Sequence, residues 1–172
     1  MRFDLQLFAA ESGKKIIYLY RPLSDAATMD GTQIAFVTEN ERSKSKDADS
    51  TATKDGSIRT PGAMEQEITC TSILDSDDTF IDTLEDALDD DELMEIWEAD
   101  LTRAGSKSGT YEGRYFQGYI TELTKSSNAE DMVEISLTFG INGNGAKGDV
   151  TVSAEQADAA SYVFKDTPKT GV

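Results

Sequence analysis

Regular alternation of apolar and polar side chains is the feature that most constrains how this chain folds. The segment 132–140 reads MVEISLTFG, and its apolar alternate positions are Val133, Ile135, Leu137 and Phe139. Because successive side chains of a strand point to opposite sides, this period of two predicts a strand with one buried face. The segment 64–73, MEQEITCTSI, alternates in the same way and predicts a second half-exposed strand.

The rest of the chain predicts more strands and one helix. Runs of β-branched and aromatic residues predict strands at 14–20, 33–37, 93–99, 111–123 and around 150–152. Only one segment, 77–90, clearly changes to helical spacing, with Phe80, Ile81, Leu84, Ala87 and Leu88 on one stripe. Neighbouring strands that follow as hairpins favour antiparallel pairing. We therefore expect a mainly β fold with one flanking α-helix.

The architecture that fits these elements is an antiparallel β-sandwich or a short barrel with a long inter-strand loop. A length of 172 residues fits a single domain, 1–172. The final segment, 163–172, is expected to be a flexible C-terminal tail.

Composition excludes several kinds of active site. The chain has no histidine and a single cysteine, Cys70, so one chain cannot hold a Ser-His-Asp or Cys-His site or a CxxC metal site. The acidic cluster at 75–78 does not match a calcium loop, because Thr79 and Phe80 occupy the fifth and sixth positions. No pair of carboxylates stands out for glycoside hydrolysis. We expect no enzyme, no cofactor and no metal site.

Charge and hydropathy bear on the partners. The net charge is −17, which opposes binding to nucleic acid and to anionic lipid. No apolar run approaches the roughly 20 residues that a membrane span needs, and the opening MRFDLQLFAA is too short and interrupted for a secretory signal. We expect synthesis in the cytoplasm and no membrane partner.

A long polar stretch, 38–62, lies between two predicted strands, and Ile58 is its only sizeable apolar side chain. We interpret 40–60 as a long polar loop, and a loop of this length is usually functional or disordered. Its charges could reach an acidic face of an identical subunit, which would be a heterologous contact; a loop without a role is the alternative. The predicted interface residues are Arg42, Lys44, Lys46, Asp47, Asp49, Lys54, Asp55 and Arg59.

An ordered set of segments resembles one known family. These segments are SKSKDADSTATKDGSIRTPG, EITCTSIL, LMEIWEAD, GRYFQGYITELTKSSNAEDMVEISLTFGINGNGAKG and SYVFKDT. Together they resemble the major tail protein, or tail tube protein, of long non-contractile-tailed bacteriophages, and most of all the group from phages of Gram-positive bacteria. The likeness spans about 14–167, and it rests on the order of the segments rather than on one motif.

The resemblance implies a structural virion protein without catalytic residues. It implies self-assembly into hexameric rings that stack into the tail tube, the conduit for genome delivery, with the 40–60 loop bridging subunits. Its partners would be other copies, the tape measure protein, and the tail terminator and tail initiator or baseplate proteins, with DNA only in transit. It would be assembled in the host cytoplasm and reside in the virion tail. The alternative is an adhesin-like β-sandwich binding module on a virion or cell surface.

Overall fold

The computed structural model describes residues 13–75 and 77–159. Two helices and seven strands are described, besides short 3-10 turns at Gly13–Lys15 and Leu23–Asp25. In chain order they are β1 (Ile16–Pro22), β2 (Val37–Thr53), β3 (Gly56–Ile73), α1 (Phe80–Asp89), β4 (Met94–Ala104), β5 (Thr110–Ser126), β6 (Glu134–Ile141), β7 (Ala146–Thr151) and α2 (Ala154–Ala159). The predicted mainly β class with a flanking helix is confirmed.

All seven strands belong to one antiparallel sheet. The order is β1-β4-β5-β6-β3-β2, and β7 pairs with the first part of β5. The sheet folds over on itself, because the ring of Tyr20 in β1 stacks on that of Phe139 in β6 with their centroids 5.0 Å apart. Within the described residues no backbone pairing joins the edge strands β1 and β2, so the predicted short barrel is not closed.

The main core lies inside this fold. The predicted inward residues Ile135, Leu137 and Phe139 are fully buried, and α1 lays its apolar stripe over the same cluster. The helix begins beside Asp78, whose carboxylate accepts the amide hydrogen of Phe80. The alternation and the change of period were therefore sound guides to these two elements.

A smaller cluster lies on the opposite face of β1 and β4. It contains Ile17, Leu19 and Ala99, together with Val150 and Val152, and partly buried residues including one from α2 pack against it. Apolar contacts on both faces explain why β1 reads as a continuous apolar run rather than as an alternation.

Strand β5 passes close to its neighbours at two glycines. A Cβ on Gly113 would collide with the carbonyl oxygen of Glu98, and one on Gly118 with that of Gly140. Both positions therefore require a residue without a side chain.

Two sequence predictions were wrong. The segment 40–60 is not a loop, because it forms the paired ends of β2 and β3. The strand predicted at 33–37 begins only at Val37, and Thr32 alone bridges Tyr20 before it. The predicted tail, 163–172, lies outside the described residues.

Candidate functional site: a charged ribbon and its anchor

A two-stranded extension, residues 43–63, leaves the body of the sheet; we call it the ribbon. Strand β3 pairs with β6 only from Glu67 to Ile73, so beyond that point β2 and β3 pair only with each other. Every residue of the ribbon is exposed. Eleven residues of β2 lie in it, which corresponds to a length of about 35 Å.

Local sequence explains why this polar segment pairs with itself. Thr53 is opposite Gly56, so Lys54 and Asp55 form a two-residue turn. Gly56 has a φ of 138°, which suits glycine, and the Thr53 hydroxyl donates to its carbonyl oxygen at 2.7 Å. The register shifts between Lys46 and Ala48, where β3 has one more residue than β2. This bulge follows Pro61, which cannot donate to a ladder.

The ribbon's charges are sorted by face. Residues paired across the strands share a side, and Arg42, Lys44 and Lys46 lie on the side of the buried Ile68 and Gln66. Arg59 is opposite Ser50 and continues this cationic face. The other face carries acids, namely Asp47, Asp49, Glu65 and Glu67.

The eight predicted interface residues therefore lie on one element but not on one surface. Lys44, Lys46 and Arg59 share the cationic face, Asp47 and Asp49 lie opposite, and Lys54 and Asp55 form the turn. Arg42 differs from the other seven, because it lies at the base of the ribbon and is half-buried.

Arg42 anchors the ribbon to the far side of the fold. Its Nε donates to Glu98 Oε2 at 2.7 Å, and the hydroxyl of Tyr18 donates to the same oxygen at 2.6 Å. The guanidinium also lies 5.8 Å from the ring centroid of Phe116. Burial and the bond to Glu98 raise the pKa of Tyr18 well above its usual range, so its hydroxyl stays a donor. The Tyr20 hydroxyl of β1 also donates to Asn40 Oδ1 of β2 at 3.2 Å, which is a second contact that holds the base of the ribbon to this side of the fold.

Sequence reasoning did not find Tyr18 or Glu98. They lie 80 residues apart in the chain, and nothing local to either residue indicates that they meet. An acid and a tyrosine in two predicted strands are ordinary surface residues until the strand order is known.

An open groove of about 590 Å³ lies between the edges of β1 and β2, and Tyr18, Arg42 and Glu98 line it by pairing with one another. Over 13–75 and 77–159, no cluster of three potential metal ligands is found. No helix in that part of the chain has the length and apolar character to cross a membrane.

A folded β body with a projecting, charge-sorted ribbon is the kind of architecture that suits contacts with other chains. The comparisons with known proteins agree with this. Residues 10–147 match the model of the phage tail tube protein family, and the chain belongs to that family. The resemblance noted in the sequence is confirmed.

Individual relatives point the same way. A tail protein of Staphylococcus phage phiMR25 is 31% identical over 159 residues, which cover 89% of this chain and 81% of the relative. The tail tube of SPP1 has the same fold, with a TM-score of 0.72 at 20% identity over 94% of both chains. The tail of a gene transfer agent particle, refined with C6 symmetry, matches with a TM-score of 0.59 at 14% identity, over 80% of this chain and 98% of that one.

The chain is thus a structural, tube-forming protein of the phage virion tail. The adhesin-like binding module, which was the alternative reading of the sequence, is not favoured.

Proposed function

We propose that this chain assembles into hexameric rings that stack into the tail tube, and that the ribbon makes the contact between subunits. The observation that supports this is the ribbon itself, with 21 consecutive residues that are exposed and that, among the described residues, form no strand pairing except that between β2 and β3. A lone two-stranded hairpin is marginally stable in water, and ordering each residue costs about 1–2 kcal/mol. Burial against a second copy offsets that cost.

The charges on the ribbon favour one kind of surface as its binding site. Its cationic face suits an acidic surface, and the exposed side of α1 is one, with Asp82, Glu85, Asp86 and Asp89. A contact between the ribbon of one copy and the body of the next joins two different surfaces. Such heterologous contacts either close into rings or continue as filaments. The sixfold symmetry of the gene transfer agent tail supports the ring of six.

The further partners follow from this assignment. The tape measure protein would lie in the lumen during assembly, and the tail terminator and the initiator or baseplate proteins would contact the tube ends. DNA would pass through in transit without specific binding, since a surface with a net charge of −17 per chain repels it. The role needs no catalysis and no cofactor. Assembly would take place in the host cytoplasm.

Shortening the ribbon tests the proposal. Replacing 47–63 by Asn-Gly would join Lys46 to Met64, which are already opposite each other, through a favoured two-residue turn. We expect the variant to keep the unfolding transition of the body and to form no rings or tubes in negative-stain electron microscopy. If the shortened chain forms normal tubes, the ribbon does not make the contact between subunits. If the full chain forms no tubes, either alone or together with its neighbouring virion proteins, the proposal that it builds a tube is wrong.

A further inference from the structure

Exposed apolar side chains mark the two opposite ends of the β2–β3 pair. Ile58, near the tip of the ribbon, is 60% exposed, and Phe36 and Met132 are 66% and 73% exposed. Ile58 and Ile73 are 15 residues apart in β3, or about 50 Å if the strand stays extended. A single chain therefore cannot bring Ile58 to Phe36 or Met132.

Phe36 and Met132 belong to one end of the sheet. The amide of Ile73 donates to the carbonyl oxygen of Phe36 at 3.1 Å, and the amide of Leu74 donates to that of Val133 at 2.8 Å. The end of β3 thus has Phe36 on one side and the segment of Met132 on the other. We call this the receiving end.

The backbone holds Phe36 in an unusual state. Its φ is 49°, in the left-handed region that bulky residues avoid. Its neighbours fix this geometry, because the Phe36 carbonyl bonds to Ile73 and the Ala35 amide lies 3.4 Å from the Asp78 carboxylate. Strain that displays an exposed aromatic ring is typical of a contact site rather than of packing within the monomer.

The receiving end is mainly acidic, and the ribbon tip carries charges of both signs. Around the receiving end the acids are Asp75, Asp77, Asp78, Glu130, Asp131 and Glu134, and Lys125 of β5 lies beside them. At the ribbon tip Lys54 and Asp55 form the turn, Ile58 shares its face with Asp49, and Arg59 lies on the other face. Two copies aligned tip to receiving end therefore join apolar to apolar, with Lys54 and Arg59 as the tip cations nearest the acids.

We propose that the ribbon tip of one copy seats Ile58 on the Phe36–Met132 receiving end of a second copy. The contact is heterologous and lies along the long axis of the β2–β3 pair, so repeating it adds copies in a line without closing. It rests on the proposed tube and names the surface that takes the ribbon when one copy follows another along the tube.

Cross-linking tests which surfaces meet. The double variant Ile58→Cys with Met132→Cys is assembled, then treated with an oxidant and separately with a short bis-maleimide. Cys70 is retained because it is buried. We expect a ladder of dimers, trimers and longer species on non-reducing gels. The matched control is Ile58→Cys with Tyr119→Cys, because Tyr119 is also an exposed apolar residue but lies on β5 beside Gly140. We expect no ladder from it.

Two results would overturn the contact while leaving the tube intact. One is tubes that give no ladder with either reagent, and the other is an equal ladder from the Tyr119 control. A second measurement covers the case in which the cysteines block assembly. The Ile58→Ser variant should raise the protein concentration needed for tubes about tenfold or more, and Tyr119→Ser should leave it unchanged. Assembly of Ile58→Ser at the wild-type concentration would equally reject the contact.

Discussion

Arg42 and Glu98 are 56 residues apart in the chain and meet across the fold, with Nε and Oε2 separated by 2.7 Å. Arg42 lies where β2 leaves the body and Glu98 lies in β4, so this ion pair fixes the base of the ribbon to the strand next to the opposite edge of the sheet. The same carboxylate accepts the Tyr18 hydroxyl of β1. The direction in which the ribbon projects therefore depends on three strands that are distant in sequence.

Removing the charge of Glu98 should loosen this anchor. We expect Glu98→Gln to lower the free energy of unfolding by about 1–2 kcal/mol, because a partly buried charge-assisted hydrogen bond is lost while the shape is kept. The control is Glu112→Gln, since Glu112 is 61% exposed and its oxygen lies 3.9 Å from Arg103; we expect a change below about 0.5 kcal/mol. Denaturant unfolding measures both. Equal losses would mean that the Arg42–Glu98 pair is no anchor.

The cationic face should matter more than the total charge. Lys44→Gln with Lys46→Gln removes two positive charges from one face of the ribbon, and Ser43→Glu with Ser45→Glu changes the net charge equally on the other face. We expect the lysine pair to slow assembly more, most strongly at low salt, because salt screens exposed charges. Arg42 is left intact because it holds the anchor.

Light scattering at several ionic strengths follows this assembly. If both pairs of substitutions delay it equally, the effect comes from net charge alone. If the delay of the lysine variant is independent of salt, electrostatic docking of that face is wrong.

We expect the Gln66 side chain to lower the free energy of unfolding of the monomer. It is 4% exposed, and neither Nε2 nor Oε1 of its side chain has a hydrogen-bond partner among the residues that the structure describes. Because a buried amide without partners bears a desolvation cost of about 1–3 kcal/mol, we expect Gln66→Met to leave stability unchanged or to raise it by about that amount. In the matched control Gln117→Met, a hydrogen bond to the Tyr115 hydroxyl at 2.7 Å is lost, so stability should fall. A comparable fall in both would show that Gln66 is satisfied by solvent.

Patterns of hydropathy along the chain predicted the elements in which the burial of a residue depends on its neighbours in sequence. The alternation at Ile135 and Leu137 and the helical stripe around Leu84 are of this kind, and all three side chains are fully buried. The ribbon was mistaken for a loop because none of its residues is buried, so no alternation of hydropathy marks it. The dipeptide Asp55-Gly56 favours a hairpin turn at this point, although the turn itself is formed by Lys54 and Asp55.

Hydropathy patterns could not predict the contacts of Arg42 with Glu98 or the curvature of the sheet. The pairing of β3 with β6, and of β1 with β4, joins residues 61 or more positions apart in the chain, and the meeting of Tyr18, Arg42 and Glu98 depends on that order. The charge-sorted faces of the ribbon became visible only once the register placed Lys44 opposite Gln66.

Amide hydrogen exchange of the ribbon tests the central claim most directly. Residues 43–63 are exposed, and among the described residues they form no strand pairing except that between β2 and β3, so their amides should exchange rapidly in the monomer. In assembled tubes we expect exchange in this segment to slow at least about tenfold, while the already protected amides of β6 change little. Ribbon exchange that is equally fast in tubes and in monomers would contradict the ribbon as the contact that builds the tube.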